Sequence, residues 1–228
     1  MPLPSQLGAW FAAGGHADLM GESDKSPILV IACGALAHEL QEIIRLNRWT
    51  HLAVQCLPAN LHSRPEKIPE RIRAKIQANR GLFSAIFVAY ADCGTGGRLD
   101  AVLREENVER LAGAHCYEFF SGSALFSALH QAEPATFYLT DFLARHFERL
   151  VMEELGINKH PELLESYFSN YLRVVYLSQN PSKQVLQMAR AAAKRLGLEF
   201  QQVVTGYGDL QQELAAFINE QSTTTGEP

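Results

Sequence analysis

The sequence predicts an α/β fold: a mostly parallel sheet with helices on both faces, in a Rossmann-like three-layer arrangement. Three observations carry this reading. Short apolar runs alternate with longer amphipathic segments from residue 27 to residue 218. The first run, Ile28-Leu29-Val30-Ile31-Ala32, is continuously apolar, as a strand buried on both faces is. Glycines, polar residues and cysteines gather just after the runs, where strands hand over to helices. Hydrophobic residues make up 47% of the 228 and charged residues 20%, enough for a core and against global disorder. The net charge of −5 argues against general nucleic-acid binding. The longest apolar stretch, 28–37, is half of the roughly 20 residues that a membrane span needs.

Taken in order, residues 1–26 have no clear period and read as an N-terminal arm. A strand over 28–32 leads into a helix over 35–47, with Leu36, Leu40, Ile43 and Ile44 on its apolar side. A strand over 51–57 follows, then a helix over 67–79 with Ile68, Ile72 and Ile76 at four-residue spacing. Residues 84–90 form a third strand, followed by a helix over 99–105 and a short strand over 108–111. A helix over 121–130, a strand over 136–139 and helices over 142–155 and 161–171 come next. Strand 174–177, helix 184–196, strand 199–204 and helix 210–218 complete the alternation. Residues 27–218 thus read as a single α/β domain, or as two lobes meeting near 130–140, with a flexible polar tail over 219–228.

No basic residue precedes Lys25, so no secretory signal is read and the expected compartment is cytoplasmic. The four cysteines, Cys33, Cys56, Cys93 and Cys116, are then expected as thiols, metal ligands or catalytic groups, not bridges. Cys56 falls inside the second strand and reads as packing. The other three fall at strand ends, where ligands bind in parallel sheets. Cys33, Cys93 and Cys116 are therefore the expected metal ligands, since gathered thiolates suit a soft ion and three ligands leave an open position. Each one alone reads rather as a small buried apolar residue, and it is the three together that make the metal reading. His62 is a candidate acid/base group or fourth ligand. His115 and Glu118 are candidate catalytic groups beside Cys116, with Cys116 and Glu118 expected to share a face of an extended segment. Asp141 reads as a general base or as the cap of the following helix.

Gly34 and the turn Asp92-Cys93-Gly94-Thr95-Gly96-Gly97 are candidates for cofactor binding. Backbone N–H groups of Gly94, Thr95, Gly96 and Gly97 could face an anion, although the spacing is neither G-x-G-x-x-G nor a Walker loop. The basic run Arg64, Lys67, Arg71, Arg73 and Lys75 is interrupted by Glu66 and Glu70, and reads as a solvated helix face.

Several stretches in order resemble the family catalogued as domain of unknown function 1638. They include Ala32-Cys33-Gly34-Ala35-Leu36, Cys56-Leu57-Pro58, Leu61-His62, Tyr90 through Gly97, His115-Cys116-Tyr117-Glu118, Thr140-Asp141-Phe142-Leu143 and His160-Pro161-Glu162-Leu163. The resemblance covers about 28–214 and leaves the N-terminal arm outside. It implies, by association, a companion of corrinoid-dependent methyltransferases in one-carbon metabolism. The expectation is then an enzyme or accessory protein with a thiolate site. That site would hold zinc, or a [4Fe-4S] cluster with one iron free. Its partner would be a small-molecule substrate or a corrinoid methyltransferase system. The competing expectations are a non-catalytic module for an anion, a nucleotide or a corrinoid, and a docking subunit of a methyltransferase system.

Overall fold

The structure is a computed structural model and describes residues 27–224. The expected N-terminal arm lies outside the described residues. The architecture is three-layered α/β with parallel strands, but the strands divide into two sheets. The first, in the order β2-β1-β3-β4, comprises β1 (Ile28–Cys33), β2 (Leu52–Leu57), β3 (Ala85–Ala89) and β4 (Glu109–Arg110). The second, in the order β5-β6-β7, comprises β5 (Thr136–Leu139), β6 (Arg173–Ser178) and β7 (Glu199–Val204). All pairings are parallel.

β1 is central and buried along its whole length, which is why its sequence does not alternate. It aligns Ile28 with Leu52 on one side and with Ala85 on the other. Helices α1 (Ala37–Asn47), α2 (Ile68–Asn79) and α3 (Arg98–Glu106) cover this sheet. Ile68, Ile72 and Ile76 of α2 are fully buried, so the four-residue spacing does mark the core face. The basic residues beside them are spent on local pairs. Arg73 meets Glu70, Glu105 and Glu106, and Lys75 donates to Gln55.

Between the sheets run α4 (Cys116–Ser121) and α5 (Ser123–Ala132). Gly122, with φ of 76°, separates the two: the expected helix over 121–130 is α5, and α4 stands where an extended segment was expected. The expected helix over 142–155 is likewise divided, into α6 (Asp141–Arg145) and a π-helical segment Glu148–Glu153. The next helix, α7 (Leu163–Phe168), is shorter than expected. α8 (Lys183–Leu196) is capped by Ser182, which accepts from Val185 N–H, and stopped by Gly197 in the left-handed region.

The final helix, α9 (Gly208–Thr224), leaves the second sheet and returns to the first, where Leu210, Leu214, Phe217 and Ile218 join the core. It continues through residues 219–224, part of the stretch expected as a flexible tail. Its start is pressed onto α4: a Cβ at Gly208 would collide with the Phe119 and Phe120 carbonyls, so only glycine fits. Among the described residues, no helix is long and apolar enough to cross a membrane.

Candidate metal centre

The strand order brings the site together. The chain passes from β1 to β2 on one side and then to β3 on the other, so the crossover directions diverge between β1 and β3. Such a point leaves a crevice at the carboxyl ends of the strands. Cys33 ends β1 and Cys93 follows β3, its neighbour in the sheet. His62 sits after β2, in a short 3₁₀ helix Ala59–Ser63. Beyond the two-residue β4, backbone pairing continues. Asp92 N–H donates to the Gly113 carbonyl at 3.2 Å and Cys93 N–H to the Ala114 carbonyl at 3.0 Å. That pairing lays Cys93 beside Cys116, the first residue of α4.

Three ligand atoms, one each from His62, Cys93 and Cys116, lie within 4.8 Å of one another. The two sulfurs are 3.2 Å apart. Cys33, the third expected thiolate, is fully buried behind His62, with its Sγ 3.7 Å from the imidazole Nδ1. His62 Nδ1 is also 3.0 Å from the Ala59 carbonyl. A carbonyl only accepts, so Nδ1 carries a proton, as in a metal-binding histidine oriented by its surroundings. Cys93 adopts φ of +48°, a left-handed conformation that costs a non-glycine residue about 1–2 kcal/mol.

The electrostatics divide the thiols. Hydrogen bonding from Cys116 lowers the Cys93 pKa, burial opposes it, and His62 adds to the lowering, to about 5. Cys116 moves the other way, pushed well up by the Cys93 thiolate and by burial. Burial works to lower the His62 pKa, but hydrogen bonding to Cys33 and Cys93 prevails and raises it to about 11. The two shifts support each other, since a thiolate at Cys93 and an imidazolium at His62 attract. Tyr90, at the end of β3, stacks on His62 with ring centroids 6.4 Å apart. Its hydroxyl is buried; burial, the neighbouring Cys33 charge and hydrogen bonding to Cys33 raise its pKa.

The centre forms one wall of a cavity of about 590 Å³. His62, Cys93, Cys116 and His115 line it on the first-sheet side. The opposite wall comes from the second sheet and its helices, with Phe137, Phe142, Leu143 and Phe168. Cys33 is not among the lining residues.

The other expected site residues have different places. Glu118 does not share a face with Cys116, because the segment is helical and the two stand about 200° apart. It turns away, accepting from Ala114 N–H at 3.1 Å and from Ser123 Oγ at 2.9 Å. Asp141 is fully buried and not a cavity residue. It accepts from Tyr176 Oη at 2.6 Å, Gln179 N–H at 3.2 Å and Asn180 N–H at 3.1 Å, tying β5 to the end of β6. The helix cap is Thr140, which accepts from Leu143 N–H at 3.2 Å.

The Gly-rich turn closes on itself. Asp92 takes the Thr95 hydroxyl at 2.6 Å and the N–H groups of Gly97 and Gly96 at 2.9 and 3.1 Å, so those donors are not offered to an anion. Burial raises the Asp92 pKa, and these bonds outweigh it and lower it. Gly94 does face the cavity, against Pro65. Gly34 is a packing glycine: a Cβ there would stand 3.0 Å from the Leu57 carbonyl. Cys56 is exposed on the edge strand β2, not packed in a core. Sequence reasoning missed Tyr90 and the apolar wall. Tyr90 had a signal, its place directly before the Asp92-Cys93 turn.

Comparison with curated proteins finds no match. The family described as protein of unknown function (DUF1638) matches residues 56–214, a span that contains His62, Cys93 and Cys116 and begins after Cys33. That span is well over half of the chain, which belongs to the DUF1638 family.

Proposed function

We propose that the protein holds a single zinc ion on His62, Cys93 and Cys116, and uses it to activate a small-molecule thiol or amine for methyl transfer. In this reading it is an enzyme or accessory protein of corrinoid-linked one-carbon metabolism. The observation that carries the proposal is the convergence of two sulfurs and one imidazole within 4.8 Å at the end of a cavity. The donor set suits zinc, and three protein ligands leave a position for substrate. Two sulfurs on one tetrahedral ion at about 2.3 Å stand about 3.8 Å apart, close to the 3.2 Å between Cys93 and Cys116. In a [4Fe-4S] cluster each cysteine has its own iron, which sets the sulfurs farther apart. The spacing therefore favours one ion.

The ion's contribution would be to acidify a bound thiol or amine. The residues supply the rest. Cys33 and the Ala59 carbonyl hold the His62 ring. The apolar wall lines the side opposite the centre. His115, exposed and on the cavity wall, would accept the substrate proton. A corrinoid donor, when bound, would supply the methyl group that the sulfur or nitrogen held there takes up. The corrinoid donor is the part of this reading that rests on the family resemblance.

Metal content and visible absorbance of protein purified without oxygen test the proposal, beside a Cys93→Ala/Cys116→Ala variant. About one zinc per chain in the wild type, lost in the folded variant, is expected. A brown protein with iron and sulfide would replace the single ion by a cluster. A wild type that binds no metal would overturn the reading.

A further inference from the structure

The cavity in front of the thiols restricts what can enter it. Among the described residues, its lining contains no Asp, Glu, Lys or Arg. Away from the Cys93/Cys116/His62 centre, a charged ligand would lose its hydration and find no counter-charge, a cost that an uncharged one does not meet. The far wall is built from rings and branched aliphatics: Phe137, Phe142, Leu143, Leu150, Leu155 and Phe168. These flat and bulky surfaces suit an aromatic or branched body by area and shape. The volume of about 590 Å³ lies within the range of roughly 300–1,000 Å³ that holds small organic molecules. Polar groups are concentrated on the opposite side, at His62, His115, Asn60 and Ser63, together with the two cysteines. Cavity and centre thus form one amphipathic container, apolar at one end and soft-donor at the other.

We propose that the ligand is an uncharged, apolar thiol, with an aromatic or branched body against the second-sheet wall and its sulfur at the Cys93/Cys116/His62 end. The sulfur half rests on the metal reading above, because a soft ion with an open position selects a soft donor. The apolar half does not rest on it, since the wall is there with or without an ion.

Three probes separate the halves: phenylmethanethiol, toluene as the same body without sulfur, and sulfanylacetate as a charged thiol. Binding is measured by calorimetry on zinc-loaded protein and on the metal-free Cys93→Ala/Cys116→Ala variant. Phenylmethanethiol should bind the loaded protein about ten-fold or more tighter than either of the others. Leu143→Asp should weaken phenylmethanethiol by about ten-fold or more with zinc content unchanged. Leu155→Trp, which fills the cavity without adding charge, serves should the first variant misfold.

Toluene bound by the metal-free variant, and lost on Leu143→Asp, would support the apolar half even if zinc were absent altogether. Equal or tighter binding of sulfanylacetate would overturn the proposal. So would failure of a zinc-loaded protein to bind any apolar probe, and that result would leave the metal reading standing. Equal affinity for toluene and phenylmethanethiol on zinc-loaded protein would overturn the sulfur half.

Discussion

Two clusters of buried polar groups sit at strand ends, one on each sheet, and they differ in how completely they are satisfied. At the second sheet, Asp141 has Tyr176, Gln179 and Asn180 as donors, with Arg145 Nη2 at 3.9 Å. At the first sheet, Cys93 and Cys116 have mainly each other and His62. A buried polar group costs free energy until it is paired. The Asp141 cluster settles that cost within the fold and acts as a tie. The thiol cluster leaves it open beside a cavity, which is where a ligand can settle it. Both contain residues that the sequence nominates for chemistry, and satisfaction is what separates the structural one from the functional one.

The contrast breaks most visibly at Asp141. Asp141→Ala leaves the Tyr176 hydroxyl and two backbone N–H groups buried without an acceptor. A stability loss of about 3–5 kcal/mol is expected in urea unfolding. Metal content, normalised to folded protein, should not change. A loss of metal without loss of stability would move Asp141 into the functional site and undo the comparison.

A smaller effect sharpens it. Glu39 is buried at 2% exposure, and one carboxylate oxygen makes no hydrogen bond. Burial raises its pKa, so the folded state binds its proton more tightly than the unfolded chain does. The stability this contributes is complete below the unfolded value and is lost as pH rises through the folded one. Glu39→Gln cannot ionise. Its Tm should match the wild type in acid and exceed it by a few degrees at neutral pH. A wild-type advantage at neutral pH would show that the charged carboxylate is stabilising.

Much of this was legible in the residues. Continuous apolar runs marked buried parallel strands, and the cysteines after β1 and β3 marked the rim. What was not legible depends on contacts between distant parts of the chain. Neighbouring β1 and β3 require the crossover over β1, which no local pattern records. Cys116 reads as extended because His115-Cys116-Tyr117-Glu118 lacks a Ser, Thr, Asp or Asn cap; packing of α4 against α9 makes it helical. Asp92 resembles an anion loop in sequence because the same glycines serve a turn closed by its own carboxylate. The apolar wall arises from the second sheet and its helices, about twenty residues or more from the cysteine motifs that face it.

The central claim is that the ligand set is two thiolates and one imidazole, with Cys33 outside it. Cobalt substitution tests this directly, because the sulfur-to-cobalt charge-transfer absorbance scales with the number of coordinated thiolates. At saturating cobalt, the wild type should show two thiolates' worth. Cys33→Ala should show the same intensity with affinity lower by about ten- to a hundred-fold, as expected for a group that only orients His62. Cys93→Ala should lose half of the intensity or more. A third of the wild-type intensity lost in Cys33→Ala, at full occupancy, would make Cys33 a ligand and contradict the account.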